Sequence, residues 1–291
     1  MRSWLFVPGD SEKKLAKGLD SGADALIIDL EDSVAASSKQ AAREICAAFL
    51  TANRDTAAPV LFVRVNAFDT GLTTADLEAV MPAAPAGIVL PKAEGRPAAE
   101  RLSDMLDGLE ADCGLHHGAT RILPIATETA ASVLAAATWN APLARLAGVT
   151  WGAEDLSADL GIANPRDGAG FYTDVFRHAR AMTVLAAGGA QTDAIDTVFI
   201  DFRDEAGLSA ECDAAARDGF AGKLAIHPAQ VPVINRCFTP DDETIAEARA
   251  IVAAFAGAGD TGVTSIDGKM IDRPHLRRAE RILARSAALS G

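Results

Sequence analysis

RILPIATETAASVLAAAT, residues 121–138, contains the unit whose repetition decides the fold. Its apolar first part predicts a buried strand, and its Ala-rich second part has the spacing of a helix. Similar pairs recur along the chain, and this alternation indicates a parallel sheet with crossover helices. The predicted strands are residues 3–8, 25–30, 60–65, 87–91, 121–127, 146–151, 197–201 and 223–228. Eight strands close a (β/α)8 barrel, so we predict an α/β protein with a TIM barrel.

The alternative to a barrel is an open doubly wound sheet, which usually has a G-x-G-x-x-G turn after an early strand. FVPGDSEKK (6–14) lacks this pattern. We therefore assign residues 1–239 to the barrel and residues 240–291 to a C-terminal helical extension. The polar connection TSIDGKMIDRPH (264–275) has two interpretations: it acts as a lid or inter-subunit arm, or the extension simply packs on the barrel.

The composition is that of an ordinary soluble protein, with 49% hydrophobic and 23% charged residues among 291. The net charge of −13 argues against binding to nucleic acid or to an anionic membrane. No apolar run approaches the roughly 20 residues that span a bilayer, and the N-terminus lacks the pattern of a signal peptide. The four cysteines form no C-x-x-C pair. These features predict a cytoplasmic protein with reduced thiols.

Two acidic residues stand at the ends of predicted strands. Glu128 follows RILPIAT and Asp155 follows LAGVTWGA. The carboxyl ends of barrel strands form the reactive face, and one or two carboxylates are enough to hold Mg²⁺ while other oxygens complete its shell. Both acids could instead stand at helix N-termini as caps. Arg64, at the end of PVLFVRVN, favours the metal site, because it adds an anion-binding group to the same face.

Several motifs occur in the order typical of one protein family. They are RSWLFVPG (2–9), DLEDSV (29–34), VRVN (63–66), VLPKAE (89–94), ATETA (126–130), GAEDLSADLG (152–161), KLAIHPAQV (223–231) and GKMIDRP (268–274). Over essentially its whole length the chain resembles the citrate lyase beta-chain-like branch of the HpcH/HpaI aldolase family. Malyl-CoA and citramalyl-CoA lyases are close relatives in this family.

The resemblance implies a (β/α)8 barrel that binds Mg²⁺ and makes or breaks a C–C bond beside a thioester. It implies that Glu128 and Asp155 are metal ligands and that Arg64 binds the carboxylate of a 2-oxo acid. It also implies that Asp272 reaches the active site from the C-terminal segment, often that of a neighbouring subunit, where we expect it to transfer protons. Expected partners are acyl-CoA, a 2-oxo acid, further copies of the chain, particularly in a trimer, and an acyl-carrier subunit.

The remaining candidates each have a structural alternative. Arg2, Lys13 and Lys17 lie around the first strand and helix, where family members bind the CoA phosphates, but helical lysines also commonly form a solvated face. Lys92 could contact substrate or pair with an acid.

The acids of DLEDSV also have two interpretations. Glu31 and Asp32 could bind the waters of the metal or cap a helix. They could also pair with Arg64, as could Asp29. Strand alternation predicts that Glu154 points away from Asp155.

These observations predict an Mg²⁺-dependent lyase that acts on citramalyl-CoA, malyl-CoA or a citryl thioester. Three alternatives remain: a malyl-CoA-type thioesterase, a class II aldolase of free oxo acids, and a beta subunit that depends on partner chains.

Overall fold

The barrel consists of eight parallel strands in the N-terminal part of the chain. The computed structural model describes residues 1–257, 262–266 and 268–290, and it divides into one unit of Met1–Asn235 and another of Arg236–Gly291. The strands of the first unit are β1 (Ser3–Pro8), β2 (Ala25–Asp29), β3 (Val60–Arg64), β4 (Gly87–Leu90), β5 (Arg121–Pro124), β6 (Val149–Thr150), β7 (Ala194–Asp196) and β8 (Phe220–Ala225).

The strand order is β5-β4-β3-β2-β1-β8-β7-β6, with parallel pairing throughout. The edge strands β5 and β6 meet through two isolated parallel bridges, Ile122 with Leu146 and Ile125 with Thr150. These bridges close the sheet on itself. The predicted TIM-barrel fold is therefore confirmed.

Alternate side chains of the strands fill the barrel interior with an apolar core. Trp4 and Phe62 pack edge to face there, with their ring centroids 4.9 Å apart. The other buried members of this cluster are Ala25, Ile27, Val89, Leu123, Ile125, Ile195, Ala221 and Leu224. Because residues along a strand point alternately inward and outward, the intervening residues face the surrounding helices.

Helices follow the strands around the barrel. They are α1 (Glu12–Leu19), α2 (Lys39–Ala52), α3 (Thr73–Val80), α4 (Gly95–Asp112), α5 (Ala130–Ala135), α6 (Ala153–Asp159), α7 (Asp174–Gly189), α8 (Glu205–Asp218) and α9 (Val231–Cys237). Two of these, α3 and α6, have only about two turns each, which is too short to show a helical period in the sequence.

A buried ionic group lies near β6, β7 and β8. The Lys223 side chain is fully buried, and its ammonium group donates to Asp196 at 2.7 Å and to Glu211 at 2.8 Å. The other Asp196 oxygen accepts from Nε1 of Trp151 at 2.8 Å. These bonds satisfy a lysine at a depth where an unpaired ammonium group would be costly.

The second unit contains α10 (Asp242–Gly257), an antiparallel hairpin of β9 (Val263–Ile266) and β10 (Lys269–Asp272), and α11 (Arg273–Ser290). The two C-terminal helices are confirmed, whereas the connection predicted as a polar linker contains the hairpin. Residues 258–261, 267 and 291 lie outside the described residues. Among the described helices, none is long and apolar enough to cross a membrane.

Two strand predictions were displaced by three residues. β7 is Ala194–Asp196, not 197–201, because Ala194 and Ile195 pair with both neighbouring strands while residues 197–200 run beyond the sheet. β8 is Phe220–Ala225, not 223–228, because His227 caps the helical turn Pro228–Gln230. The two units divide after Asn235, whereas the sequence analysis placed the boundary after residue 239.

Candidate active site

A pocket opens where the carboxyl ends of the barrel strands meet, and its empty volume is about 350 Å³. Three of the predicted site residues line it, namely Arg64, Glu128 and Asp155. The other lining residues are Phe6, Ile125, Trp151, Gly152, Ala153, Glu154, Thr197, Val198 and Leu224. The structure therefore brings the central predicted residues to one place, with apolar walls around a charged centre.

Glu128 lies at the buried end of the pocket and is only 2% exposed. It does not cap α5, because Thr129 is the N-cap residue of that helix and accepts from the backbone N–H of Ser132. Oε2 of Glu128 instead accepts from the backbone N–H of Lys92 at 2.6 Å. A Cβ atom on Gly152 would lie 2.6 Å from Cγ of Glu128, so glycine is needed where the two chains pass.

Asp155 is in the first turn of α6, whose N-cap is Gly152. Its Oδ1 lies 3.3 Å from Nζ of Lys92, which also donates to Oε1 of Glu31 at 2.7 Å. Glu154 lines the same pocket. The alternation that predicted opposite directions for Glu154 and Asp155 was wrong, because these residues are helical and adjacent positions on a helix can both border one cavity.

Arg64 is the last residue of β3, and its guanidinium group is fixed on three sides. Nε and NH2 donate to the two oxygens of Asp29 at 2.7 and 2.8 Å. NH1 forms an ion pair with Oε2 of Glu31 at 2.9 Å, and the Phe6 ring centroid lies 4.8 Å from the guanidinium carbon. Arg64 therefore forms the ion pairs with Asp29 and Glu31 that the sequence left open as an alternative to substrate binding. The remaining N–H groups of NH1 and NH2 are the ones left for a further anion, beside Glu31.

Asp29 and Glu31 are held by this network in different electrostatic states. Burial raises the pKa of Asp29, but the hydrogen bonds and charge of Arg64 outweigh it and bring the pKa below its usual value. For Glu31, burial dominates and raises the pKa despite Arg64 and Lys92. Asp32 is 59% exposed, with an oxygen 3.9 Å from NH1 of Arg64, and is thus a weak partner.

The charged groups that line the pocket, together with those that contact them from behind, have an excess of negative charge that suits a dication. Four carboxylates, those of Asp29, Glu31, Glu128 and Asp155, surround only two basic groups, Arg64 and Lys92. Burial raises the pKa of Glu128 well above its usual range, and Asp155 and Glu31 raise it further. A carboxylate in this position needs a proton or a cation. The oxygen-rich donor set, with Glu128 and Asp155 on the pocket surface, therefore fits a hard ion such as Mg²⁺.

The predicted coenzyme residues do not share one location. Arg2 precedes β1, at the amino end of the barrel strands, and pairs with Asp24 through Nε at 3.0 Å and NH2 at 2.7 Å. The pocket lies at the opposite strand ends, and the contact of Arg2 with substrate stays a prediction. Lys13 and Lys17 are exposed on α1, which follows the carboxyl end of β1, so their phosphate role stays a prediction.

Asp272 is at the end of β10 in the second unit. Its Oδ1 lies 2.5 Å from Nδ1 of His275, and this contact lowers the pKa of Asp272. Its catalytic role stays a prediction.

Some pocket residues were missed by the sequence analysis. Phe6 and Leu224 were treated only as strand residues, although each stands near the carboxyl end of its strand. Thr197 was placed inside a strand, although it follows β7. The sequence feature that could have identified them is their position near the carboxyl end of a strand. The predicted bounds of β7 and β8 were three residues too late, and this error hid that position.

A second cluster with metal-ligand groups lies outside the pocket. One ligand atom from each of Asp107, Glu110 and His117 lies within 4.8 Å of the others. Arg145 already neutralises it, with hydrogen bonds to Asp107 and to both oxygens of Glu110. We therefore interpret this cluster as a buried ion pair with an exposed histidine beside it.

The fold and the pocket define a (β/α)8-barrel protein with an acidic site for a hard cation and an arginine beside it. The family model described as HpcH/HpaI aldolase/citrate lyase matches residues 2–228. The chain belongs to this family, which confirms the resemblance found in the sequence.

Several known proteins are similar over nearly the full chain. A citrate lyase subunit beta-like protein of Mycobacterium tuberculosis is 36% identical, over 97% of this chain and 94% of its own length. A (3S)-malyl-CoA thioesterase of Cereibacter sphaeroides is 34% identical, over 99% and 95%. The mitochondrial citramalyl-CoA lyase of Rattus norvegicus is 33% identical, over 99% and 86%.

The crystal structure of CitE from M. tuberculosis in complex with magnesium, acetoacetate and coenzyme A has the same fold. Its TM-score is 0.73 at 35% identity, and the match covers 98% of both chains.

Proposed function

We propose that the protein is a Mg²⁺-dependent carbon–carbon lyase that cleaves or forms a 3-hydroxyacyl-CoA, with a short acyl-CoA and a 2-oxo acid as the other participants. The observation that carries this proposal is the pocket centre, where an excess of carboxylates stands beside the anchored Arg64. Relatives that act on malyl-CoA and citramalyl-CoA support the thioester class.

Arg64 binds the carboxylate of the oxo-acid portion. Asp29 uses the Nε and NH2 edge, so the substrate takes the edge of NH1 and NH2, beside Glu31. Because both Asp29 bonds fix the plane of the guanidinium group, Arg64 needs little reorganisation when the substrate arrives. Charge-assisted bonds from this edge orient the bond that breaks.

Glu128 and Asp155 hold the magnesium ion. When bound, the ion supplies Lewis-acid chemistry to substrate oxygens and favours the alkoxide form of the hydroxyl group. Glu128 contributes a charge whose position is fixed by the Lys92 N–H, and Asp155 contributes one from the more open side. The apolar side chains of Phe6, Ile125 and Trp151 limit water around these charges, which strengthens them.

Proton transfer is assigned to Asp272 as a carboxylate. Its lowered pKa leaves it able to accept the hydroxyl proton in cleavage. The C–C electron pair then passes to the departing thioester enolate, which takes up a proton to become the acyl-CoA, and the former hydroxyl carbon becomes the keto group of the oxo acid. As the family resemblance implies, Asp272 is supplied by the C-terminal segment, often that of a neighbouring subunit.

The test mixes purified protein and Mg²⁺ with citramalyl-CoA, malyl-CoA or a citryl thioester and measures the release of oxo acid and of free thiol. We expect oxo acid from at least one substrate, with activity lost by at least about 100-fold in Glu128→Ala and Asp155→Ala. Asp107→Ala, in the acidic cluster outside the pocket, is the matched control and should retain activity. Full activity in Glu128→Ala would contradict the mechanism.

The products also distinguish the related activities. Free thiol without glyoxylate or pyruvate would identify a thioesterase, as in the relative from C. sphaeroides. Activity on free oxo acids without CoA would identify a class II aldolase. Activity only after addition of an acyl-carrier chain would identify a partner-dependent beta subunit.

The proposed setting is the cytoplasm, and the proposed assembly is a homo-oligomer, particularly a trimer. Light scattering coupled to size-exclusion chromatography measures the assembly directly. A monomer that retains full activity would contradict a contribution of Asp272 from a neighbouring copy.

A further inference from the structure

Lys92 contacts three of the four carboxylates of this charged group, those of Glu128, Glu31 and Asp155. Its backbone N–H donates to Glu128 at 2.6 Å. Its ammonium group donates to Glu31 at 2.7 Å and lies 3.3 Å from an oxygen of Asp155. One residue thereby supplies both a fixed donor and a mobile positive charge to the same acidic group.

The backbone of Lys92 makes this arrangement possible at a cost. Its φ of +50° is in the left-handed region, which is unfavourable for a residue with a Cβ atom. Such a conformation persists only where surrounding contacts stabilise it, and these places are often functional. Here the conformation directs the N–H to Glu128 while the side chain reaches Glu31 and Asp155.

We infer that Lys92 is a built-in counter-ion that holds Asp155 and Glu31 in place before the dication enters and gives up its contact with Asp155 when the dication binds. This inference rests on the proposed magnesium site at Glu128 and Asp155. It makes Lys92 a positioning residue of the metal site, which replaces the predicted contact with substrate.

The contact to Asp155 is the one that breaks, because it is the weaker of the two. It is longer, 3.3 against 2.7 Å, and Asp155 is half-buried while Glu31 is buried and also pairs with Arg64. The Lys92 side chain is 29% exposed, so the ammonium group has solvent on one side. A flexible lysine stem allows the charge to move outward while the backbone bond to Glu128 remains.

Two effects of this device oppose each other. The ammonium group reduces repulsion among the carboxylates and so keeps them in position for the metal. It also repels and competes with the entering cation, which lowers metal affinity. Competition is the larger effect, because the ammonium group lies against the Asp155 carboxylate that the ion needs, whereas Glu31 keeps Arg64 as a partner when Lys92 is replaced. Removing the charge therefore strengthens Mg²⁺ binding, whereas a substrate contact at Lys92 would leave Mg²⁺ binding unchanged.

The test measures Mg²⁺ affinity by calorimetry, without substrate, for the wild type, for Lys92→Met, and for Lys14→Met. Lys14 is an exposed lysine on α1, so the control removes the same charge from the surface. We expect Lys92→Met to bind Mg²⁺ at least about tenfold more tightly and Lys14→Met to match the wild type. Unchanged or weaker binding in Lys92→Met overturns the inference.

A second measurement uses the wild-type protein, so that it does not depend on the folding of a variant. Amine acylation followed by mass spectrometry reports the reactivity of each lysine with and without Mg²⁺. We expect acylation of Lys92 to accelerate with Mg²⁺, because its ammonium group leaves Asp155, while Lys14 does not change. Equal Lys92 rates overturn the inference. Absence of Mg²⁺ binding by the wild type would instead overturn the proposed function.

Discussion

Asp29 and Arg64 are joined by two parallel hydrogen bonds, which fix the guanidinium plane and leave one of its edges toward the pocket. Asp29 is itself held, because its two oxygens accept from the backbone N–H groups of Glu31 and Ser33 at 2.9 and 3.0 Å. The orientation of Arg64 is therefore set by the turn after β2.

Replacement of Asp29 should impair substrate binding. Asp29→Asn keeps the shape but provides one oxygen and one NH2 group, so the paired bonds to Arg64 are lost. We expect KM for the oxo acid, measured in the direction of C–C bond formation, to rise about 10- to 100-fold. A steady-state titration of the oxo acid at saturating acyl-CoA measures this change.

The control for this prediction is a similar pair at the amino end of the barrel. Asp24→Asn removes a bidentate partner from Arg2, and we expect lower stability with an unchanged KM. Equal effects of the two substitutions on KM would show that Asp29 acts only through the stability of the fold.

A methyl group at residue 152 should displace a metal ligand. In Gly152→Ala the new Cβ would lie 2.6 Å from Cγ of Glu128, and Glu128 is too buried to move freely. We expect Mg²⁺ affinity to fall about tenfold or more, as measured by calorimetry. Gly168→Ala is the control, since a Cβ there meets nothing within 4 Å. Wild-type affinity in Gly152→Ala would refute the close approach.

Metal-free protein should become more stable when the Glu128 charge is removed. Its pKa is raised in the folded state, so the unfolding free energy falls as pH increases from the ordinary glutamate pKa toward the raised value. Glu128→Gln lacks this titration and can still accept from Lys92. In urea titrations with a chelator at pH 8, we expect it to be roughly 1–3 kcal/mol more stable than the wild type.

The difference between Glu128→Gln and the wild type should shrink at pH 5 in the same experiment. Glu78→Gln, at an exposed position on α3, should show no such pH-dependent gain. If the wild type is as stable as Glu128→Gln at pH 8, then neighbouring groups already offset the cost of burying the Glu128 charge in the metal-free protein.

The buried Lys223 should matter for stability. In Lys223→Met, Asp196 loses its nearest counter-charge while it remains fully buried, and we expect a loss of about 3–5 kcal/mol in urea unfolding. Burial raises the pKa of Asp196, but Lys223 and Arg180 lower it below its usual value. This stabilisation is therefore present at neutral pH and is lost as pH falls through the lowered pKa.

Lys14→Met is a surface control for the loss of one charge in the same unfolding experiment. It should change stability by less than about 0.5 kcal/mol. Equal stability of Lys223→Met and Lys14→Met would mean that a buried methionine stabilises the fold as well as the ionic group of Lys223 does.

The barrel was predictable because its signal is repeated. Buried parallel strands such as Ala25–Asp29 are apolar up to their last residue, and each is followed by a helical pattern, so errors of three residues at β7 and β8 do not change the strand count. Short helices were missed, since a segment such as Ala153–Asp159 is too brief to show a helical period.

The candidate site was predictable only in part. Glu128 and Asp155 were found because strand ends and residue type coincide. The Asp29 bonds to Arg64 were only one alternative, because three acids, Asp29, Glu31 and Asp32, lie at or just after the end of β2 and the sequence does not show which one faces the guanidinium group. The left-handed conformation of Lys92 has no signal in its residue type, and it depends on contacts with residues 36 and 61 positions away.

The position at which the barrel closes makes the metal site relevant to the stability of the sheet. β5 and β6 meet only through isolated bridges among the described residues, and Glu128 and Asp155 follow these same two strands. A cation held by both carboxylates would link the two strands at the place where the sheet closes through isolated bridges. Loss of the ion would then remove the activity and weaken the joint between β5 and β6 at the same time. Metal-free protein would therefore be both inactive and more sensitive to proteolysis.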